Sequence, residues 1–287
     1  MRNDPYSHVE QLDKRLYCLK EVESISRYLI LGEKKALLFD TGYGYTDLTE
    51  QIKELTSLPL VVVNSHGDPD HALGSYQFPQ VYLHYGDFDY LMNLDRDSQQ
   101  KKGTIEYRLK KLPGLAQVMN VEEYVKPHLL HTEFLFLEDG MTFDLGGISA
   151  RIVHIPGHTP GSVALFCPEY GWLFTGDSVD YYNIFYQGGL GHHMPFKQYL
   201  RSLHKLEELS PQITHIYPAH GSTPIPVSAI SETIQALYDL IENWQNDAKK
   251  ETMIGPAYVH SYKNVLFLYG KDVLQEALLH GIDNKEV

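Results

Sequence analysis

The stretch Asn64 to Gly74 reads NSHGDPDHALG and sets His66, Asp68, Asp70 and His71 within six residues. Imidazole and carboxylate groups at this density are the ligand set that a pair of divalent metals requires. The apolar run Leu60 to Val63 leads straight into them. A strand that ends in a tight turn is a rigid support, and Gly67 and Pro69 let alternate side chains swing to a common side. A single His beside an Asp is usually just a hydrogen-bonded pair. The reading as half of a metal site therefore needs further ligands from far downstream.

Three later segments offer them. HIPGHTPGS carries His154 and His158, FTGDSV delivers Asp177, and THIYPAH brings His220 to the end of a short apolar run. Each stands where a strand pattern gives way to glycine or proline, the usual position of a functional side chain on a rigid frame. His128 and His131 stand alone near the end of a charged, aromatic region and read as structural or solvated.

The elements that must position these groups follow from periodicity. LYCLKEV and SRYLILGEKKALLFD read as strands with Gly32 to Lys35 as a hairpin turn. Asp40 closes this block before TGYGYT, where an acid commonly caps backbone amides. Leu48, Ile52, Leu55 and Leu58 lie on one face of a helix that Thr46 would cap. LPLVVV suits a strand buried on both faces. Val81 to His84 reads as a short strand. From about 85 to 131 the alternation is lost, predicting a helical insertion of two or three helices, one around Thr104 to Leu112 and another around Leu115 to Tyr124.

From Thr132 the segments EFLFLEDG, MTFDLGGI, SARIVHIP and SVALFCPEYGWLFTGD read as antiparallel neighbours in a second sheet. YYNIFYQGGLGHHMP follows as an aromatic, glycine-rich loop. Helices are then expected around Phe196, Leu200, Leu203 and Leu206, and from Ser228 along Ile230, Ile234, Leu237, Ile241 and Trp244. The C-terminal extension, about 247–287, adds a strand and a short helix from Asp272 to His280 that Gly281 ends. No repeat or linker divides the pattern, so a single domain over 1–287 is expected.

Composition narrows the function. The 287 residues carry 24 Lys and Arg against 37 Asp and Glu, a net charge of -13. That balance repels a phosphate backbone and excludes nucleic acid as partner. Cys18 and Cys167 match no metal or redox spacing, which favours a reducing compartment. No apolar run approaches a membrane span, and the N-terminal residues are polar, so a cytoplasmic protein without membrane contact is expected. A homodimer is compatible with everything read so far.

Four marks, HxDxDH at His66 to His71, GHTPGS at Gly157 to Ser162, FTGD at Phe174 to Asp177 and YPAHG at Tyr217 to Gly221, resemble in their order the metallo-β-lactamase superfamily. LFDTG at Leu38 to Gly42 resembles its first motif. The resemblance runs from about residue 15 to 246. It implies an α/β fold, the αββα sandwich of two mixed sheets with helices outside, and a dinuclear metal site at one edge. It also implies that His66 and His158 bind a first metal, that Asp70, His71 and His220 bind a second, and that Asp177 bridges them. The hydrolase branch resembled here includes glyoxalase II and lactonases.

Asp68 departs from that pattern, since the hydrolases of the family usually carry histidine there. A carboxylate is harder than imidazole, so the two divalent ions, Zn first, could also be Mn or Fe. It also leaves the metal pair less positive, which makes a bridging hydroxide harder to form but more basic. The expected reaction is attack of that hydroxide on an ester, thioester or lactone of a small molecule, a neutral or apolar acyl compound before a polyanion. Asp70 would pass a proton to the leaving group, and Tyr181 or Tyr182 would donate to an oxyanion. His192 and His193 would line the substrate entrance, and His154 would support the ligands. Flavodiiron proteins resemble the chain in having a carboxylate at the Asp68 position, which implies a dimetal oxidoreductase lacking its flavodoxin domain as one alternative. A metal-binding sandwich without turnover is the other.

Overall fold

The computed structural model describes residues 6–22, 25–117, 119–188, 191–252 and 255–274. It divides into two compact units, Met1–Glu138 with Thr142–Ser149, and Asp139–Met141 with Ala150–Val287.

The first unit is built on a seven-stranded sheet of β1 (His8–Asp13), β2 (Leu16–Glu21), β3 (Ile25–Leu31), β4 (Ala36–Phe39), β5 (Leu60–Val63), β6 (Gln80–His84) and β7 (Glu133–Leu137), paired in that order. Pairing is antiparallel from β1 to β4 and parallel from β4 to β7. The hairpin at Gly32 to Lys35 stands where the sequence places it. The sequence reading missed β1, because HVEQLD is an exposed edge strand whose polar side chains carry no alternation.

The structure also corrects the reading of EFLFLEDG. Its strand β7 lies parallel to β6 in the first sheet and does not open a second antiparallel one. A parallel step needs a long crossover, and the helical insertion supplies it.

Helix α1 (Leu48–Leu55) buries Leu48 and Ile52 against Leu38, Val62 and Val81. Its cap is Asp47, whose carboxylate accepts from Glu50 N, and not the expected Thr46, which is buried. After the short α2 (Pro69–Ala72), the insertion holds α3 (Tyr85–Arg96), α4 (Ser98–Lys111) and α5 (Val121–Tyr124). The expected Thr104 to Leu112 helix is the second half of α4, which starts earlier because Asp97 accepts from Gln99 N and Gln100 N. The expected Leu115 to Tyr124 helix is broken: Pro113 opens a tight turn, and Asn120 caps α5 afresh. The buried Lys101 and Asp95 pair at 2.9 Å, and Asp95 also accepts from His128 N and Leu129 N, which ties the insertion to its own exit. His128 thus serves the insertion. Strand β8 (Thr142–Asp144) completes this unit.

In the second unit, β9 (Ser149–His154), β10 (Val163–Cys167) and β11 (Trp172–Gly176) pair antiparallel in sequence order. The chain then adds β12 (Tyr182–Phe185) and the two-residue pair β13 (Gln187–Gly188) and β14 (Gly191–His192), where the sequence reading expects only loop. Helix α6 (Phe196–Leu209) follows, then β15 (His215–Pro218), which lies parallel beside β11, and α7 (Ser228–Asn243). The apolar stripe of α6, Phe196, Tyr199, Leu200, Leu203 and Leu206, is fully buried with Ile230, Ile234 and Leu237 of α7. At about 1.5–3 kcal/mol for each large apolar side chain, that seam is a main anchor of the unit.

The tail forms a sheet of β16 (Ala248–Thr252), β17 (Gly255–Tyr262) and β18 (Val265–Tyr269), with β12 parallel to β18. More strand is present here than the single one expected. The expected helix from Asp272 begins as a tight turn, Lys271–Leu274, and its remainder lies outside the described residues. Among the described residues no helix is long and apolar enough to cross a membrane.

Candidate metal centre

In the first unit the candidate ligands follow the carboxyl end of β5, and Asp40 follows that of its parallel neighbour β4. Asp40 ends β4 with a left-handed φ of 70°. That conformation is costly for a residue with a Cβ and persists only where surrounding bonds over-determine it. Here Ser65 N and Ser65 Oγ donate to its carboxylate at 2.6 and 2.9 Å, and His71 Nδ1 lies 2.8 Å from Oδ2. Asp40 therefore does more than cap amides: it fixes the ring of His71.

His66 and His71 are buried side by side, with ring centroids 4.0 Å apart. His66 Nε2 lies 3.4 Å from Asp68 Oδ2, and His71 Nε2 lies 3.8 Å from Asp70 Oδ2. Asp68 sits at the N-terminus of α2 without capping it, so its carboxylate stays with His66. Two neighbouring residues escaped the sequence reading. Asp87 of α3 accepts from Gly67 N at 2.9 Å and holds the turn, and Tyr90 of the same helix is kept protonated by burial and by the charges of Asp68 and Asp70. The signal for both was their spacing on a helix that the sequence reading had not placed.

In the second unit β9, β11 and β15 run in one direction, and His158, Asp177 and His220 lie in the segments that follow their ends. Thr159 N donates to Ser162 Oγ within GHTPGS, and Gly157 lets that turn approach α6: a Cβ there would meet Tyr199 Cδ2 at 2.5 Å. Asp177 faces both histidines, with His158 Nε2 3.5 Å from Oδ2 and His220 Nε2 3.3 Å from Oδ1. Asp180 is buried nearby, and burial first, then the charge of Asp177, pushes its carboxyl up to about 7.

The sequence also proposed second-unit residues for substrate contact. Tyr181 packs against the buried core and Tyr182 is half exposed. His192 pairs with Gln187 in the short ribbon, and His193 is buried with its ring 4.6 Å from that of His158. His154 supports its loop, its Nε2 lying 3.0 Å from Pro160 O.

These donor sets fit divalent metal. Two ligands on one tetrahedral ion with bonds of about 2.1 Å stand about 3.4 Å apart, whereas a direct charge-assisted hydrogen bond closes to about 2.8 Å. The pairs His66 with Asp68, His158 with Asp177 and His220 with Asp177 have the former spacing, and Asp40 with His71 has the latter. Each unit thus offers its own His and Asp donors to a metal ion: His66, Asp68, Asp70 and His71 in the first, His158, Asp177, His193 and His220 in the second.

Comparison with known proteins agrees with this chemistry. Residues 22–220 match the family described as "Metallo-beta-lactamase superfamily". The human acyl-coenzyme A thioesterase MBLAC2 is 26% identical over 214 residues, 68% of this chain and 72% of that protein. The hydroxyacylglutathione hydrolase GloC of Haemophilus influenzae is 28% identical over 162 residues, 55% of this chain and 65% of its own. Among solved structures, a metallo-beta-lactamase family protein from Thermus thermophilus aligns with a TM-score of 0.54 at 21% identity, covering 86% of this chain and 85% of that one. The fold is thus the one that the motif order implies.

Proposed function

This chain belongs to the metallo-β-lactamase superfamily of metal-dependent hydrolases, and from that premise we propose that it hydrolyses an ester, thioester or lactone of a small molecule with two divalent ions, zinc first. The observation that carries the reading is Asp177 facing His158 and His220 at ligand spacing. A thioester heads the substrate classes because of the similarity to the acyl-coenzyme A thioesterase.

When bound, divalent ions supply a Lewis acid for the carbonyl oxygen and make hydroxide available near neutral pH. In the first unit His66, Asp68, Asp70 and His71 would hold metal, and in the second His158, Asp177 and His220 would do so. Asp40 keeps the proton of His71 on Nδ1, so that Nε2 offers a lone pair. Asp70, the most exposed of the candidate ligands in the first unit, would carry a proton to the leaving group. Tyr182, half exposed, is preferred over the packed Tyr181 as a donor to the developing oxyanion.

The test is metal analysis of the purified chain joined to turnover of acyl-thioester, lactone and ester substrates before and after chelation. About two ions per chain and thioester cleavage that returns on adding zinc or manganese are expected. Two irons with oxygen consumption, or metal without turnover on the whole panel, would reject the reading.

A further inference from the structure

The segment between β14 and α6 places an imidazole that the motif order does not assign. His193 is 7% exposed. Its backbone N–H donates to Tyr186 O at 2.9 Å, and the next N–H, that of Met194, donates to Gly157 O at 2.8 Å. The two bonds pin His193 against the loop that carries His158.

Its ring nitrogen Nδ1 lies 2.7 Å from Tyr186 O and 2.5 Å from Tyr186 N. With the proton on Nδ1, the ring donates to the carbonyl and presents Nε2 as a lone pair, the arrangement that ligating histidines adopt. With the proton on Nε2, the ring accepts from Tyr186 N and can ligate nothing through that atom. Two imidazoles on one ion through bonds of about 2.1 Å hold their ring centroids about 4.5–5.3 Å apart. The rings of His158 and His193 are 4.6 Å apart and tilted by 51°, within that range.

We propose that His193 is an additional imidazole ligand of the ion held by His158, and not a lining residue of the substrate entrance. This rests on the reading above that His158 binds metal. An imidazole there is a softer donor than a carboxylate and favours zinc over manganese for that ion.

The test is His193→Asn, whose amide can still reach Tyr186 while Nε2 is gone, with His192→Asn as control. Zinc affinity by competition with a chromophoric chelator, and the absorption bands of the cobalt-loaded chain, are read beside the thermal midpoint of the chelated chain. An unchanged midpoint, a loss of about tenfold or more in zinc affinity and shifted cobalt bands are expected for His193→Asn alone. Wild-type affinity and bands in that variant would overturn the inference and leave the proposed function standing. A wild-type chain that binds no metal would overturn both. Should the variant fail to fold, histidine nitrogen NMR of the cadmium-loaded wild type decides: coupling of His193 Nε2 to cadmium supports the assignment, and its absence rejects it.

Discussion

Asp40 and His71, 31 residues apart in sequence, meet at 2.8 Å between Oδ2 and Nδ1, both side chains buried. The carboxylate selects one tautomer and aims the opposite nitrogen, and it is itself held by Ser65 in a left-handed backbone conformation that the chain would otherwise avoid. The strain at Asp40 is thus coupled to ligand orientation.

Asp40→Asn should therefore weaken the metal at His71 without removing a ligand. A loss of about 10–100-fold in affinity for one of the two proposed ions is expected. Titration of the chelated chain with zinc measures it, and two unaltered binding steps would show that the contact is only structural.

Asp68 lies 3.4 Å from His66 Nε2, at ligand spacing. Asp68→His should raise zinc occupancy and lower the preference for manganese, since imidazole is the softer donor. Elemental analysis after growth in mixed metals reads the ratio. Metal content and affinity equal to the wild type would remove Asp68 from the ligand set.

Gly157 faces Tyr199, where an added Cβ would stand 2.5 Å from Cδ2 and 2.9 Å from Cα. The ring is fully buried and its hydroxyl donates to Ser178 O, so it has little room to retreat. Gly157→Ala should cost about 1–3 kcal/mol in urea unfolding and displace the His158 loop. A midpoint within error of the wild type would mean that the loop shifts freely.

Burial, and then Asp177, holds the Asp180 carboxyl up at about 7, against an ordinary 3.8. The folded chelated chain therefore keeps a proton there that the unfolded chain has released. The sign follows: stability from this group is present near pH 4 and falls as pH rises toward about 7, by a few kcal/mol at most (~1.4 per pH unit). Asp180→Asn should flatten that slope in denaturant midpoints of the chelated chain between pH 5 and 8. An equal slope in both chains would show that Asp180 is ionised throughout.

Much of this was legible in the linear chain because ligand chemistry is written in residue type and short spacing. His66, Asp68, Asp70 and His71 share one turn, and the GHTPGS, FTGD and YPAHG segments carry their own glycines, so local backbone needs announce them. The core strands of unbroken apolar residues and the stripes of α6 and α7 were equally plain. What failed was non-local. Strand β1 is exposed and polar, β7 changes sheet because a helical crossover precedes it, and α3 is hidden by aromatic and acidic residues whose partners lie elsewhere.

Residue order therefore announced which side chains carry donor atoms and which family they belong to, since donor atoms and turn residues are properties of the residues themselves. Folding alone decided which nitrogen each histidine offers. Asp40 turns the ring of His71, and the backbone of Tyr186 holds that of His193, through contacts between residues that no local pattern joins.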